Sequence, residues 1–245
     1  MALDLSPNEG PARELEICDL VSSGTYDVTW ATITSDVSGH HAQFQVFADA
    51  MKVEGVRVNV CAKTEQVIAE MLNCMLLTPR LADLIWLQAD CRLPPFPRGN
   101  IVDMGSTQAM IEHSAKIDAA LSKFTAQPKL ISTTGKHWTL SNGLALHPGM
   151  AENYGWHSAG PMAGIPMEGA VTVDPNTGHP IPLIQGRGWR HDMNHVDYSQ
   201  ICVLVSRTCT MDGQTWDLLD LLQDPDLAHL ANHDGVLKVL RQPST

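Results

Sequence analysis

Thr25-Tyr26-Asp27-Val28-Thr29-Trp30-Ala31-Thr32-Ile33-Thr34 is rich in β-branched and aromatic residues and reads as a strand. Ala42–Ala48 (AQFQVFA) follows with alternating polar and apolar positions, and Lys52–Cys61 (KVEGVRVNVC) is a further extended run punctuated by Gly55. Together they read as an antiparallel β unit. Helical spacing then takes over. Ile68, Met71, Leu72 and Met75 share one face, and Thr78-Pro79 opens a second helix carrying Leu81, Leu84 and Ile85. Leu93-Pro94-Pro95-Phe96-Pro97 breaks regular structure and is the best linker candidate. Ser106–Phe124 returns to helical spacing through Met110, Ile111, Ala115, Ile117 and Leu121.

Beyond this point the texture changes. Leu130–Asn142, Glu152–His157, Ala170–Val173 and Ile181–Gln185 are short strand-like pieces between Gly, Pro and Asn, and Gln200–Arg207 is a longer β run. The tail Trp216–Leu240 reads as helical, and the polar first 20 residues as loosely held. These segments predict an α+β fold, with a mixed, largely antiparallel sheet and an N-terminal helical portion. The reading is one domain over 1–245, divisible into a helical lobe 62–125 and a β-rich lobe 126–245 that carries the site.

Composition narrows the function classes. Lys+Arg of 16 against Asp+Glu of 27 gives a net charge of −11 over 245 residues, and no basic cluster compensates it. That balance argues against nucleic acid and anionic membrane surfaces and in favour of a small-molecule substrate. No apolar run approaches the roughly 20 residues of a membrane span, and Met1–Pro7 is neither basic nor apolar, so a soluble cytoplasmic protein is expected. Cys18, Cys61, Cys74, Cys91, Cys202 and Cys209 contain no C-x2-C pair, which points to reduced thiols rather than disulfides or structural zinc. No motif asks for a cofactor, and the oligomeric state is open.

Chemistry-bearing residues concentrate in 136–199, where six of eleven histidines, three of six tryptophans and two of three tyrosines fall. The densest element is Trp189-Arg190-His191-Asp192-Met193-Asn194-His195-Val196-Asp197-Tyr198-Ser199, running into Ile201–Val205. On an extended backbone His195 and Asp197 point to one face, so Asp197 can orient His195 as a general base. The plainer reading is a solvated polar loop. His191 and His195, four residues apart, suit a metal together with Asp197 only on a helix, and Gly186 and Gly188 argue against one, so no metal is assigned. In Tyr154-Gly155-Trp156-His157, a strand puts Tyr154 with Trp156 on one face and His157 beside the Gly155 gap on the other. Lys136-His137 adds a cation and an imidazole that can polarise a carbonyl, against the plainer reading of an exposed turn. Cys202 is the thiol nearest in sequence to these histidines and is a candidate nucleophile beside His157 or His195, against a core residue. Ser199 lacks a Gly-x-Ser-x-Gly elbow.

Gly135-Lys136-His137 with Ser141-Asn142, then Asn153–His157, then Pro180–Gln185, then His195–Ser199 form an ordered set. Over about residues 48–207 it resembles a group of mostly uncharacterised microbial proteins that read Gly-His-Lys-Lys-Asp, Tyr-Gly-Trp-His, Pro-Ile-Gln-Pro-Leu and Asp-Tyr-Ser-His-Gly-Ile-Arg-Leu. The resemblance implies a site without naming its reaction. Lys136 and His137 stand in reverse order here, and Gln200-Ile201-Cys202 replaces His-Gly-Ile. A fainter similarity links Tyr154–His157 and Ser199–Cys202 to the Tyr-Gly-x-His and Ser-x-Gly-Cys pattern of L,D-transpeptidases, with Ile201 in place of the glycine.

The resulting expectation is an enzyme of lyase, cyclase, isomerase or hydrolase type, acting on a small polar or carbonyl-containing substrate. His195 with Asp197 is the base; Tyr198 or Tyr154 donates a proton; His157 lies opposite; Lys136 and His137 assist. Trp156, Trp189, Ser199, Asn142 and His191 contact substrate. The alternatives are a Cys202/His covalent transferase or hydrolase, and a non-catalytic carbohydrate- or peptide-binding module.

Overall fold

The computed structural model describes residues 5–99, 102–158, 172–173, 178 and 180–242. In chain order these form α1 (Pro11–Ser22), β1 (Trp30–Val37), β2 (His40–Phe47), β3 (Lys52–Val53), β4 (Val56–Arg57), α2 (Ala62–Met71), β5 (Cys74–Leu76), α3 (Pro79–Gln88), β6 (Cys91–Arg92) and α4 (Thr107–Leu121). There follow β7 (Ile131–Ser132), β8 (Lys136–Thr139), β9 (Met150–His157), β10 (Thr172–Val173), β11 (Pro180–Ile181), β12 (Leu183–Asp192), β13 (Leu204–Met211), β14 (Gln214–Asp217) and α5 (Leu218–Gln223). The fold is α+β with mostly antiparallel sheets, as the sequence predicts. No helix among the described residues is long and apolar enough to cross a membrane.

Two sheets organise the chain. One runs β1-β2-β13-β14 with β5 also on β13, and the other runs β12-β9-β8. They are stitched together by isolated parallel bridges, Leu77 to Thr139 and Lys136 to Gln200. The Leu140 amide donates to the Leu77 carbonyl at 2.9 Å, and the Ile201 amide to that of Lys136 at 2.9 Å. Phe44, Val46, Leu204 and Val205 of the first sheet and Trp138, Ala151 and Tyr154 of the second belong to one buried apolar cluster that also takes in Ile68 of α2 and Leu81 of α3. Burying such side chains stabilises the fold by roughly 1.5–3 kcal/mol each.

Several expectations shift. The N-terminal segment is not loose: Pro11 opens α1, and Arg13 and Ile17 are fully buried. The Arg13 guanidinium donates to the Gly105 carbonyl at 2.6 Å, and the Thr107 amide to that of Pro7 at 3.0 Å, so residues 5–10 are clamped onto the loop before α4. The first strand begins at Trp30 rather than Thr25, and of Lys52–Cys61 only Lys52–Arg57 is paired, as a tight hairpin turning at Glu54 and Gly55, both with positive φ. Met75 lies on β5, because α2 stops at Met71 and Asn73 adopts a left-handed φ of 52°. Residues 200–203 run outside regular structure, and the C-terminal helix shrinks to the six residues of α5, with Trp216 on β14. Thr172–Val173 is a strand; residues 170–171 and His179 lie outside the described residues.

Candidate functional site

β8 and β9 carry Lys136, His137, Tyr154, Trp156 and His157 of the residues singled out in the sequence. They pair antiparallel with Lys136 opposite Gly155 and His137 opposite Tyr154. Gly155 (φ 107°) and Trp156 (φ 56°) are both left-handed, a conformation costly for a bulky aromatic, and such outliers gather at functional sites. This kink overturns the alternation expected for Tyr154–His157. Tyr154 and His157 turn to the same partner: the Tyr154 hydroxyl donates to Asp83 Oδ1 at 2.7 Å, and His157 Nε2 lies 2.7 Å from the same oxygen. His233 Nε2 meets Asp83 Oδ2 at 2.8 Å, and Trp86 stacks on His157. Burial opposes ionisation of Asp83, but the hydrogen bonds from His157, His233 and Tyr154 hold its carboxyl below its usual range. Neither Asp83 nor His233 stands out in the sequence as a member of this cluster. The one available signal was a lone carboxylate inside the apolar run Leu81-Ala82-Asp83-Leu84-Ile85-Trp86.

A second cluster forms around Asp197. The chain from Met193 to Ser199 turns rather than extends, so the expected hydrogen bond between Asp197 and His195 is replaced. Asp197 Oδ2 accepts from Lys136 Nζ at 2.7 Å, and Oδ1 accepts from the Ser199 amide at 2.8 Å and its hydroxyl at 2.6 Å. Asn59 closes the carbonyl side by donating to the Asp197 oxygen. Burial pushes the Asp197 carboxyl up, but Lys136 and Ser199 outweigh it and hold it ionised. Lys136 is buried rather than on an exposed turn, with its ammonium 5.7 Å from the Trp156 ring centre.

His191 and His195 stack face to face, ring centres 3.8 Å apart. They and Asp197 line a cleft of about 650 Å3 with Asn8, Glu9, Asp103, Met104, Gly105 and Ser106. Burial lowers the His195 pKa, with Asp197 and Asp192 opposing and Lys136 reinforcing; burial and His195 lower that of His191. Both imidazoles are therefore neutral at pH 7. Clefts of about 620 and 550 Å3 elsewhere present no histidine. Several buried polar atoms in the molecule are uncommitted. His113 Nε2, His137 Nδ1, both amide atoms of Asn153, Trp156 Nε1, His195 Nε2 and Gln200 Nε2 are buried without a hydrogen-bond partner among the described residues. Buried polar groups normally find partners, and of these His195 lines the cleft while Asn153 lines a smaller space beside His191.

Other expected residues lie elsewhere. Tyr198 faces His113, and its hydroxyl accepts from the Arg98 amide at 2.8 Å; it does not line the cleft. His137 is fully enclosed, with Cδ2 3.0 Å from where a Gly155 Cβ would stand, and burial pushes its pKa down to about 3. Asn142 is a brace for the C-terminal segment, donating to Val236 and accepting from the Lys238 amide. Trp189 stacks on His147 and covers Gly143. Cys202 is fully buried; burial raises its thiol pKa, and Glu65 raises it further, so of the two readings of Cys202 the core residue is the one its surroundings fit. Among the described residues no three His, Cys, Asp or Glu side chains are grouped to hold a metal. Compared with protein-family models, curated proteins and solved structures, the chain gives no match.

Proposed function

We propose that the protein is an enzyme that uses His195 as a general base on a small, polar, carbonyl-containing substrate held in the cleft between residues 8–9, 103–106 and 191–197. The observation that carries this reading is a neutral, half-buried imidazole whose ring makes no hydrogen bond among the described residues, in the wall of the cleft that also presents Asp197. A neutral imidazole can take a proton at pH 7, and an ionised carboxylate nearby stabilises the imidazolium that results. Asp197 acts here by its charge, and Lys136 and Ser199 act through Asp197 by holding it ionised and in place. The motifs that carry the family resemblance support the same reading, since Lys136 and Asp197 meet across 61 residues of sequence.

The test is turnover of a panel of small esters, amides and oxo acids by wild type and His195→Asn. The variant is expected to lose on the order of 10²–10⁴-fold activity with an unchanged unfolding midpoint. The wild-type rate rises with pH through a midpoint below 6.5, because the base must be unprotonated. Equal turnover by wild type and variant, or a His195 imidazole that titrates at 6.5 or above by NMR, overturns the reading.

A further inference from the structure

Behind His191 lies a second, smaller space that the acid–base reading does not use. β9 and β12 pair with Gln185 opposite Gly155, Gly188 opposite Asn153 and His191 opposite Ala151. Three residues of β12 thus advance against two of β9, twice in succession, on either side of Gly188. Each step is a bulge, and bulges open a ladder and re-aim side chains next to sites. The opening is a cavity of about 120 Å3 lined by Asn153, Gln185, Arg187, Gly188, Arg190 and His191. Gly188 keeps it clear: a Cβ there would stand in it, 3.4 Å from Gln185 Nε2.

The lining is specific in chemistry. Asn153 is 2% exposed, yet neither its Nδ2 nor its Oδ1 has a partner among the described residues. An unpaired buried amide is costly unless something bonds to it. Two arginines and an imidazole complete the wall, and no carboxylate lines it, in a chain whose net charge is −11. Arg187 is committed to Glu152 at 3.3 Å and to Asp234 at 3.0 and 2.9 Å. The Arg190 guanidinium carries no ion pair or hydrogen bond among the described residues and stands exposed at the rim.

We infer that this cavity binds the carboxylate of a small ligand, with Arg190 supplying charge and a forked pair of donors and Asn153 Nδ2 a further donor from the floor. Because His191 borders both this cavity and the 650 Å3 cleft, the ligand is the substrate of the proposed reaction, a carbonyl compound carrying a carboxylate; that identification rests on the acid–base reading, whereas carboxylate binding itself does not.

The experiment titrates the full-length protein with acetate, acetamide and inorganic phosphate, followed by isothermal calorimetry and by the Asn153 side-chain amide resonances. Acetate is expected to bind saturably and to move those resonances, acetamide to bind about tenfold more weakly or not at all, and Arg190→Gln to weaken acetate at least tenfold. Gly188→Ala, which adds a methyl to the cavity lining 3.4 Å from Gln185 Nε2, gives the same loss without touching a charge. Equal binding of acetate and acetamide, tighter binding of phosphate, or unchanged acetate binding in both variants overturns the inference. His195→Asn separates the two readings: acetate binding with turnover independent of His195 removes the base and leaves the carboxylate site, while His195-dependent turnover without acetate binding does the opposite.

Discussion

Lys136 and His137 are sequence neighbours whose surroundings give them opposite fates. Lys136 finds Asp197 at 2.7 Å, whereas His137 is enclosed with its Nδ1 unpartnered and its pKa pushed by burial to about 3. His113 follows His137, brought down to about 4 by burial. For both, the folded pKa lies below that of the unfolded chain, near 6.5. Their full contribution to stability is therefore present above about pH 6.5 and is lost as the pH falls toward 4 and 3, because the unfolded chain takes up protons that the folded chain refuses. Each imidazole adds at most about 1.4 kcal/mol per pH unit to the slope in that window. Urea unfolding of His137→Leu at about pH 6 and pH 5 is expected to show a pH dependence shallower by roughly that amount, whatever the variant's absolute stability. An unchanged slope means that His137 is protonated in the folded protein. Sequence counting had located this concentration of histidines, but spacing alone could not say which of them is enclosed and which lines a cleft.

Helix entries were the most legible elements, because caps are local chemistry. Thr78 begins α3 as its Thr-Pro pair foretells, and its hydroxyl accepts from the Leu81 amide at 3.2 Å. Ser106 does the same for α4, accepting from the Ala109 amide at 3.1 Å. The two caps differ in reach, since the Thr78 hydroxyl also donates to the Ala231 carbonyl in the C-terminal segment. Thr78→Ala is accordingly expected to cost about 2 kcal/mol and Ser106→Ala about 1 kcal/mol, read as shifts in denaturant midpoint at constant slope. Equal losses would show that the tertiary bond to Ala231 contributes nothing. Strands were harder to place. The left-handed pair at Gly155 and Trp156 reverses the face of His157, and a two-residue alternation rule has no way to register such a kink.

At the scale of the whole molecule, stability rests on the shared core of the two sheets rather than on the charged surface. Phe44 is fully buried there, while Leu15 on α1 is 61% exposed. Phe44→Ala is expected to destabilise by about 3–5 kcal/mol and Leu15→Ala by no more than roughly 0.5 kcal/mol, measured by equilibrium unfolding. A large effect at Leu15 would mean that the outer face of α1 is covered in solution. The inner face of α1 is where the sequence reading failed most. Pro11 and the polar residues around it resemble a loose tail, yet Arg13 reaches the Gly105 carbonyl and brings Asn8 and Glu9 to the cleft.

The sequence by itself determined the α+β class, the opening of α3 at Thr78-Pro79, the helical segment of α4 and the concentration of histidine, tryptophan and tyrosine in residues 136–199. These follow from local propensity, periodicity and composition, which act over a few residues or sum over all of them. Only the tertiary structure decided that Asp197 pairs with Lys136 instead of His195, that Asp83 gathers Tyr154, His157 and His233, and that Cys202 is enclosed. Those outcomes depend on which groups are desolvated together. Partners separated by 61 to 150 positions in the chain meet only once the sheets have packed, and burial then selects among the charge states that water would have allowed.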